Sequence, residues 1–241
     1  YHEPNPFGTG DIGAARLLLL AALLLGFALR VFALDRLPPG LSDVEALNGV
    51  LAREWAHSLH GWRSGLTAAV YRPLIGALGA QPLALRLTSA FVGVLALPLL
   101  YVTGSVMVDR ARMRTGAWPA VAAAAVLAVS YAHVSLSRLG VPAVLPATLS
   151  LLAVYAFWRA QRDQRLAACA AGGLALAVAC YAVPAGWLLV MAIIGFALFD
   201  SALRADLGVS DSPSPGNRRV AGWSIILLVW LLCMTPLLLE A

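Results

Sequence analysis

Asp43 and Glu45 stand two residues apart in Leu37-Pro-Pro-Gly-Leu-Ser-Asp-Val-Glu-Ala-Leu-Asn-Gly49, a short stretch between long apolar ones. A carboxylate held at the mouth of a membrane can act as general base on a hydroxyl or amine that attacks a lipid-linked donor. The same residues have a purely local use. Ser42-Asp-Val-Glu45 has the spacing of a capping box, in which Ser42 caps a helix and Glu45 reaches back from three residues on. Asp43, in the first turn, would sit at the favourable end of the helix dipole. Spacing alone leaves both uses open.

The element that must carry these acids is an amphipathic helix. From Asp43 onward the apolar residues fall at Val44, Leu47, Leu51, Trp55 and Leu59, at helical intervals. Glu45, Asn48, Arg53, His57 and His60 occupy the other side. Such a helix lies along a membrane surface, with Trp55 and Trp62 as interfacial anchors. A second short segment, Leu66–Leu78, is interrupted at Arg72-Pro73.

Hydrophobic residues make up 61% of the 241 positions and charged residues 12%, and the mean hydropathy is +0.82. Soluble domains carry about 25% charged residues, so the composition is that of an integral membrane protein, a single transmembrane domain over 1–241. The net charge of +5 rests on seventeen arginines and no lysine. Most lie at helix ends or in loops, the distribution that sets topology; it does not point to nucleic acid. Without a lysine amine no retinal Schiff base can form. Mid-span positions are almost uncharged, which argues against an ion path. Cys169, Cys180 and Cys233 lie in apolar segments without metal-ligand spacing and read as small buried hydrophobes. His133, beside Tyr131 and Ser135, reads as an interfacial histidine rather than a haem or chlorophyll ligand. The residues point to no metal site and no haem.

A spanning helix needs about 20 apolar residues. Seven segments qualify by this reading, at about 14–34, 82–108, 117–135, 140–158, 166–182, 184–201 and 221–239, with Pro184 breaking the fifth from the sixth. Leu17–Leu29 is compact enough for a signal core, but no small-residue cleavage site follows it, so a retained span is expected. Arg30 and Arg86, near span ends, are expected to snorkel to the interface. Ser210–Asn217 reads as a flexible loop. With the N-terminus inside, ten arginines fall on the cytoplasmic side against seven outside. The positive-inside rule therefore places the N-terminus in the cytoplasm and the 35–81 loop outside.

The order of features resembles the C-type glycosyltransferase superfamily, nearest to the bacterial relatives of protein O-mannosyltransferases and lipid A aminoarabinose transferases. The resemblance runs from about residue 14 to 200. It rests on Leu29-Arg-Val-Phe32, the Pro-Pro-Gly and Asp-Glu-Ala-like stretch, Ala84-Leu-Arg-Leu-Thr-Ser-Ala-Phe-Val-Gly93, and Ser137-Arg-Leu-Gly140. It implies an all-α membrane module of about seven transmembrane helices, with interfacial helices in the first external loop. It also implies transfer of a sugar from a polyprenyl-phosphate donor to an acceptor on the external face. In that scheme Asp43 is the base, Glu45 its partner or cap, and Arg138 holds the donor phosphate, with Asn48 and His57 as further substrate contacts. Two departures stand out. Val44 occupies the place of the family's catalytic Asp, leaving Asp43 shifted by one residue, about 100° around a helix. Ala69-Val-Tyr-Arg-Pro-Leu74 lacks the family's second site. Family enzymes also continue into further helices, so acceptor-binding parts are expected to be missing, either from this stretch of sequence or from the protein itself. The alternative is an inactive relative serving as an accessory subunit of a membrane complex, packing through small-residue runs such as Ala120–Ala125 and Ala167–Gly173. Membrane lipids are partners in either case.

Overall fold

The computed structural model describes residues 9–37, 39–54, 62–110, 117–163, 165–182, 187, 188, 190–196, 199 and 215–239. Among these the regular structure is entirely helical, with no strand. The helices are α1 (Thr9–Val31), α2 (Asp43–Glu54), α3 (Trp62–Leu78), α4 (Pro82–Arg110), α5 (Trp118–Val129), α6 (Tyr131–Arg138), α7 (Val144–Asp163), α8 (Leu166–Ala182) and α9 (Pro215–Leu239). They divide into two compact units, one of Tyr1–His57 with Thr67–Thr148, the other of Ser58–Leu66 with Leu149–Ala241.

Length and composition make two helices, Gly13–Val31 and Pro82–Val108, fit to cross a membrane. The pair α5 and α6 becomes a third if counted as one broken span, bent by 54°. The expectation of seven spans is thus corrected among the described residues. The reason is length. Val144–Ala160, Leu166–Tyr181 and Gly222–Thr235 are apolar but shorter than 18 residues, and the 184–201 segment lies partly outside the described residues. The break between α5 and α6 falls at Ser130, whose ψ of 116° leaves the helical region. Two further boundaries differ from expectation. α3 runs through Pro73 without interruption, and α9 starts at Pro215, within the stretch expected as loop.

In the first unit α1 packs on α4, α5 and α6. Small residues permit this approach: Gly26 faces Leu97 and Ala128, and Gly104 faces Ala120. In the second unit α8 packs on α9, where a Cβ on Gly173 would lie 2.6 Å from the Ile226 carbonyl. Phe157 and Trp223 meet at 4.9 Å between ring centroids, and Trp187 meets Trp230 at 5.2 Å. Residues of both small-residue runs therefore pack helices of this chain on one another. Cys169 and Cys180 are buried and Cys233 half-buried, all free thiols.

Candidate functional site

α2 is built inside out. Its buried side carries Glu45, Asn48 and Ala52, while Val44, Leu47, Val50 and Leu51 are exposed. These positions recur at three and four residues, so each set shares a face. The apolar stripe faces away from the protein, as suits a helix lying against lipid, and the polar face docks on α4 and on the turn between α6 and α7.

The docking is made by Glu45 and Arg86, both almost fully buried. Glu45 Oε1 accepts from Arg86 Nε at 3.1 Å and from the Gly140 amide at 2.7 Å. Oε2 accepts from the Ser42 amide at 3.0 Å and from Arg86 Nη2 at 3.4 Å. The Glu45 amide in turn donates to Ser42 Oγ at 3.3 Å, completing the capping box. Arg86 also donates to the carbonyls of Leu34 and Gly40. Gly40 holds a φ of +78°, a backbone state that glycine adopts without Cβ strain, in the turn that presents this carbonyl. Burial raises the Glu45 pKa, but the guanidinium of Arg86 and the amides of Ser42 and Gly140 outweigh it and hold the carboxyl below its usual range.

Gly140 ties a third segment of the chain into the cluster. Its carbonyl accepts from Asn48 Nδ2 at 3.4 Å, and a Cβ there would sit 2.8 Å from Leu85 Cβ and 3.2 Å from Glu45 Oε1. Nearby, Ser89 Oγ donates to the Val141 carbonyl at 3.2 Å, so Tyr71 donates to Ser89 at 2.6 Å. Burial pushes the Tyr71 phenol up to about 12, against the Ser89 hydrogen bond and with help from the Glu45 charge.

A second polar cluster lies at the end of α1. Arg30 is fully buried and donates to the carbonyls of Gly26 (2.7 Å), Ala128 (3.1 Å) and Leu127 (3.3 Å). A guanidinium has only donors, so the 2.7 Å contact with His133 Nδ1 makes that nitrogen the acceptor and puts the ring proton on Nε2. Arg138 returns the contact: it donates to Leu29 O at 2.7 Å and Leu37 O at 3.3 Å. The expected snorkelling of Arg30 and Arg86 is corrected here. Each finds several acceptors inside the protein, and these replace the water that a snorkelling side chain would seek.

Of the candidate residues, the structure brings together Glu45 and Asn48, both bound to Gly140. Arg138 lies on the α1 end, engaged with two carbonyls. Asp43 is exposed in the first turn of α2 and makes no hydrogen bond or ion pair among the described residues. His57 lies outside the described residues, as do Trp55 and His60. Among the described residues no three of His, Cys, Asp and Glu gather as for a metal ion. Sequence reasoning missed the Glu45–Arg86 pair. The available signal was an arginine four residues into an apolar helix, a charge that needs a partner if it is not to reach water. Segments quoted separately for the family resemblance meet in these clusters: Glu45 with Arg86 and Gly140, and Arg30 with Ser137 and Gly93 around His133. No protein-family model matches the chain, and no curated protein does.

Proposed function

We propose that this chain is a glycosyltransferase-like membrane protein that moves a sugar from a polyprenyl-phosphate donor to an acceptor at the external face of a bacterial cytoplasmic membrane, its N-terminus inside. Asp43 is the base. Its carboxylate takes the proton of the acceptor hydroxyl or amine as that atom attacks the sugar C1. The C1–O bond to phosphate breaks, and polyprenyl phosphate leaves with the electron pair.

The observation that carries this reading is a division of labour between the two acids. Glu45 is fully committed to docking α2, whereas Asp43, on the same first turn, keeps its carboxylate exposed. A rigidly docked helix with one unengaged acid is what a positioned base requires. The phosphate role expected for Arg138 fits less well, because both terminal nitrogens already serve carbonyls.

A second reading, an inactive relative acting as an accessory subunit, draws support from Val44. It is 54% exposed in the same first turn, at the place where the resembled family carries its acid. One experiment separates the two. The purified protein is reconstituted in vesicles with a polyprenyl-phosphate sugar and a panel of hydroxyl and amine acceptors, and release of polyprenyl phosphate is followed. Asp43→Asn keeps a good first-turn residue but removes the base, and turnover falls by about 10²-fold or more. Turnover that Asp43→Asn leaves unchanged removes Asp43 from the mechanism; no turnover in the unaltered protein favours the accessory subunit.

A further inference from the structure

One short stretch of chain, Ser137–Val141, is tied to α1, α2, α4 and, through Ser89, to α3. Ser137 is fully buried against Gly93 of α4, and its hydroxyl lies 3.5 Å from the imidazole that receives Arg30. Arg138 serves Leu29 O at the end of α1 and Leu37 O on the approach to α2. Gly140 donates its amide to Glu45 and accepts from Asn48, both on α2. The Val141 carbonyl accepts from Ser89, which receives the Tyr71 hydroxyl of α3. There is little slack at the centre of this stretch, where a Cβ on Gly140 would fall 2.8 Å from Leu85 Cβ.

The element that leads into it is α6, which starts at the Ser130 break and ends at Arg138. Helices curve only gently, with radii of about 60–100 Å, so an eight-residue helix moves as a rod. Its length is about 12 Å at about 1.5 Å per residue. A rotation of about 10° at Ser130 carries the far end of such a rod by about 2 Å. That is enough to open the 2.7 Å bond between Gly140 and Glu45 beyond hydrogen-bonding reach.

We propose that α6 is a lever joining the bend in the third candidate span to the docking of α2. Its inner end is held by Arg30 at His133, and its outer end leads to the Gly140 turn that holds Glu45 and Asn48. The bend and α2 then open as one cooperative unit, and a change of bend angle releases the helix that carries Asp43. The bend becomes a control point for the transfer reaction only through the role proposed above for Asp43; the mechanical coupling does not depend on it.

The test is amide hydrogen exchange on the full chain in lipid nanodiscs, with α8 of the other unit as reference. His133→Leu takes an acceptor from Arg30 without adding charge. Exchange across 131–138 and across 43–54 rises by the same factor, about tenfold, the weight of one hydrogen bond to a charged group, while α8 keeps its rate. His133→Gln, whose side-chain oxygen can accept from Arg30, restores both segments. Coupling between sites is reciprocal, so Asn48→Ala, which drops the bond to the Gly140 carbonyl, speeds exchange in α6 as well as in α2. Faster exchange confined to the altered helix overturns the inference. Should His133→Leu loosen every helix, α8 included, Asn48→Ala decides alone. No substrate enters these measurements, so a failed turnover assay for Asp43 leaves the coupling standing, and a failed coupling leaves Asp43 to be judged by turnover.

Discussion

Removing Arg86 isolates a buried charge, and the size of the effect follows from the surroundings of Glu45. In Arg86→Met the carboxylate keeps two amide donors, from Ser42 and Gly140, but loses its counter-ion at a site 1% exposed. Breaking one partner of a buried pair costs about 3–5 kcal/mol. At about 1.4 kcal/mol per tenfold, that raises the open population of α2 by two to three and a half decades, roughly 10²- to 4 × 10³-fold. The cost falls on docking of α2, so the assay is amide hydrogen exchange across residues 43–54, with α4 as internal reference. Glu45→Met produces a comparable loss by removing the carboxylate that neutralises Arg86. The double variant Glu45→Met with Arg86→Met leaves no charge behind, and replacing both members of such a pair is often near neutral. Its exchange therefore lies much closer to the unaltered protein than the sum of the single effects. If both singles are silent, or if the double equals their sum, the pair does not hold α2 and Asp43 has no fixed platform.

The same pair makes docking depend on pH. The folded carboxyl of Glu45 lies below its unfolded value of about 4.3, so its contribution is complete above that value and disappears as pH falls through the folded pKa; protection of α2 drops in acid, and Glu45→Gln flattens the profile. Gly140→Ala inserts a methyl within 2.8 Å of Leu85 Cβ, and overpacking of this kind costs about 1–3 kcal/mol, read as a lower unfolding midpoint in detergent. Arg30→Lys keeps the charge but cannot reach three carbonyls and an imidazole with one ammonium; about 1–3 kcal/mol is lost for each buried acceptor left unmet, seen as faster exchange across 127–134.

Much of the architecture is legible in the sequence. α1, α4 and α8 follow from runs of Leu, Ala and Val, and the start of α2 from Ser42 and Glu45, because capping is decided within four residues. The face that α2 buries is not. Apolar periodicity identifies a stripe but not whether protein or lipid covers it, and here the polar side is the one the protein takes. Arg86 and Gly140 are hidden for a related reason. Their roles depend on contacts 41 and 95 residues away in the chain; the apolar run marks Arg86 as a charge in need of a partner without naming it, and Gly140 carries no such mark. The number of spans is overread because apolar composition is shared by short core helices and membrane-crossing ones; length separates them, and α5 ends sooner than its composition suggests.

Arginine usage ties these points together. A broken helix at membrane depth leaves carbonyls without amides, and these must find donors within the protein. The last carbonyls of a helix lack intrahelical partners in any case. Here the end of α5 receives Arg30 from α1, and the end of α1 receives Arg138 from α6, so each of these helix ends is closed by a guanidinium from another helix. The exchange needs a planar cation with five donors, able to serve several acceptors at once. Lysine has three donors on one atom and cannot bridge carbonyls on two helices in this way. Arg86 performs the same work at the other cluster, joining Glu45 to the carbonyls of Leu34 and Gly40. Three arginines that topology rules would assign to the membrane surface thus fix the bend, the end of α1 and the docked α2, and Asp43 is held by the last of these.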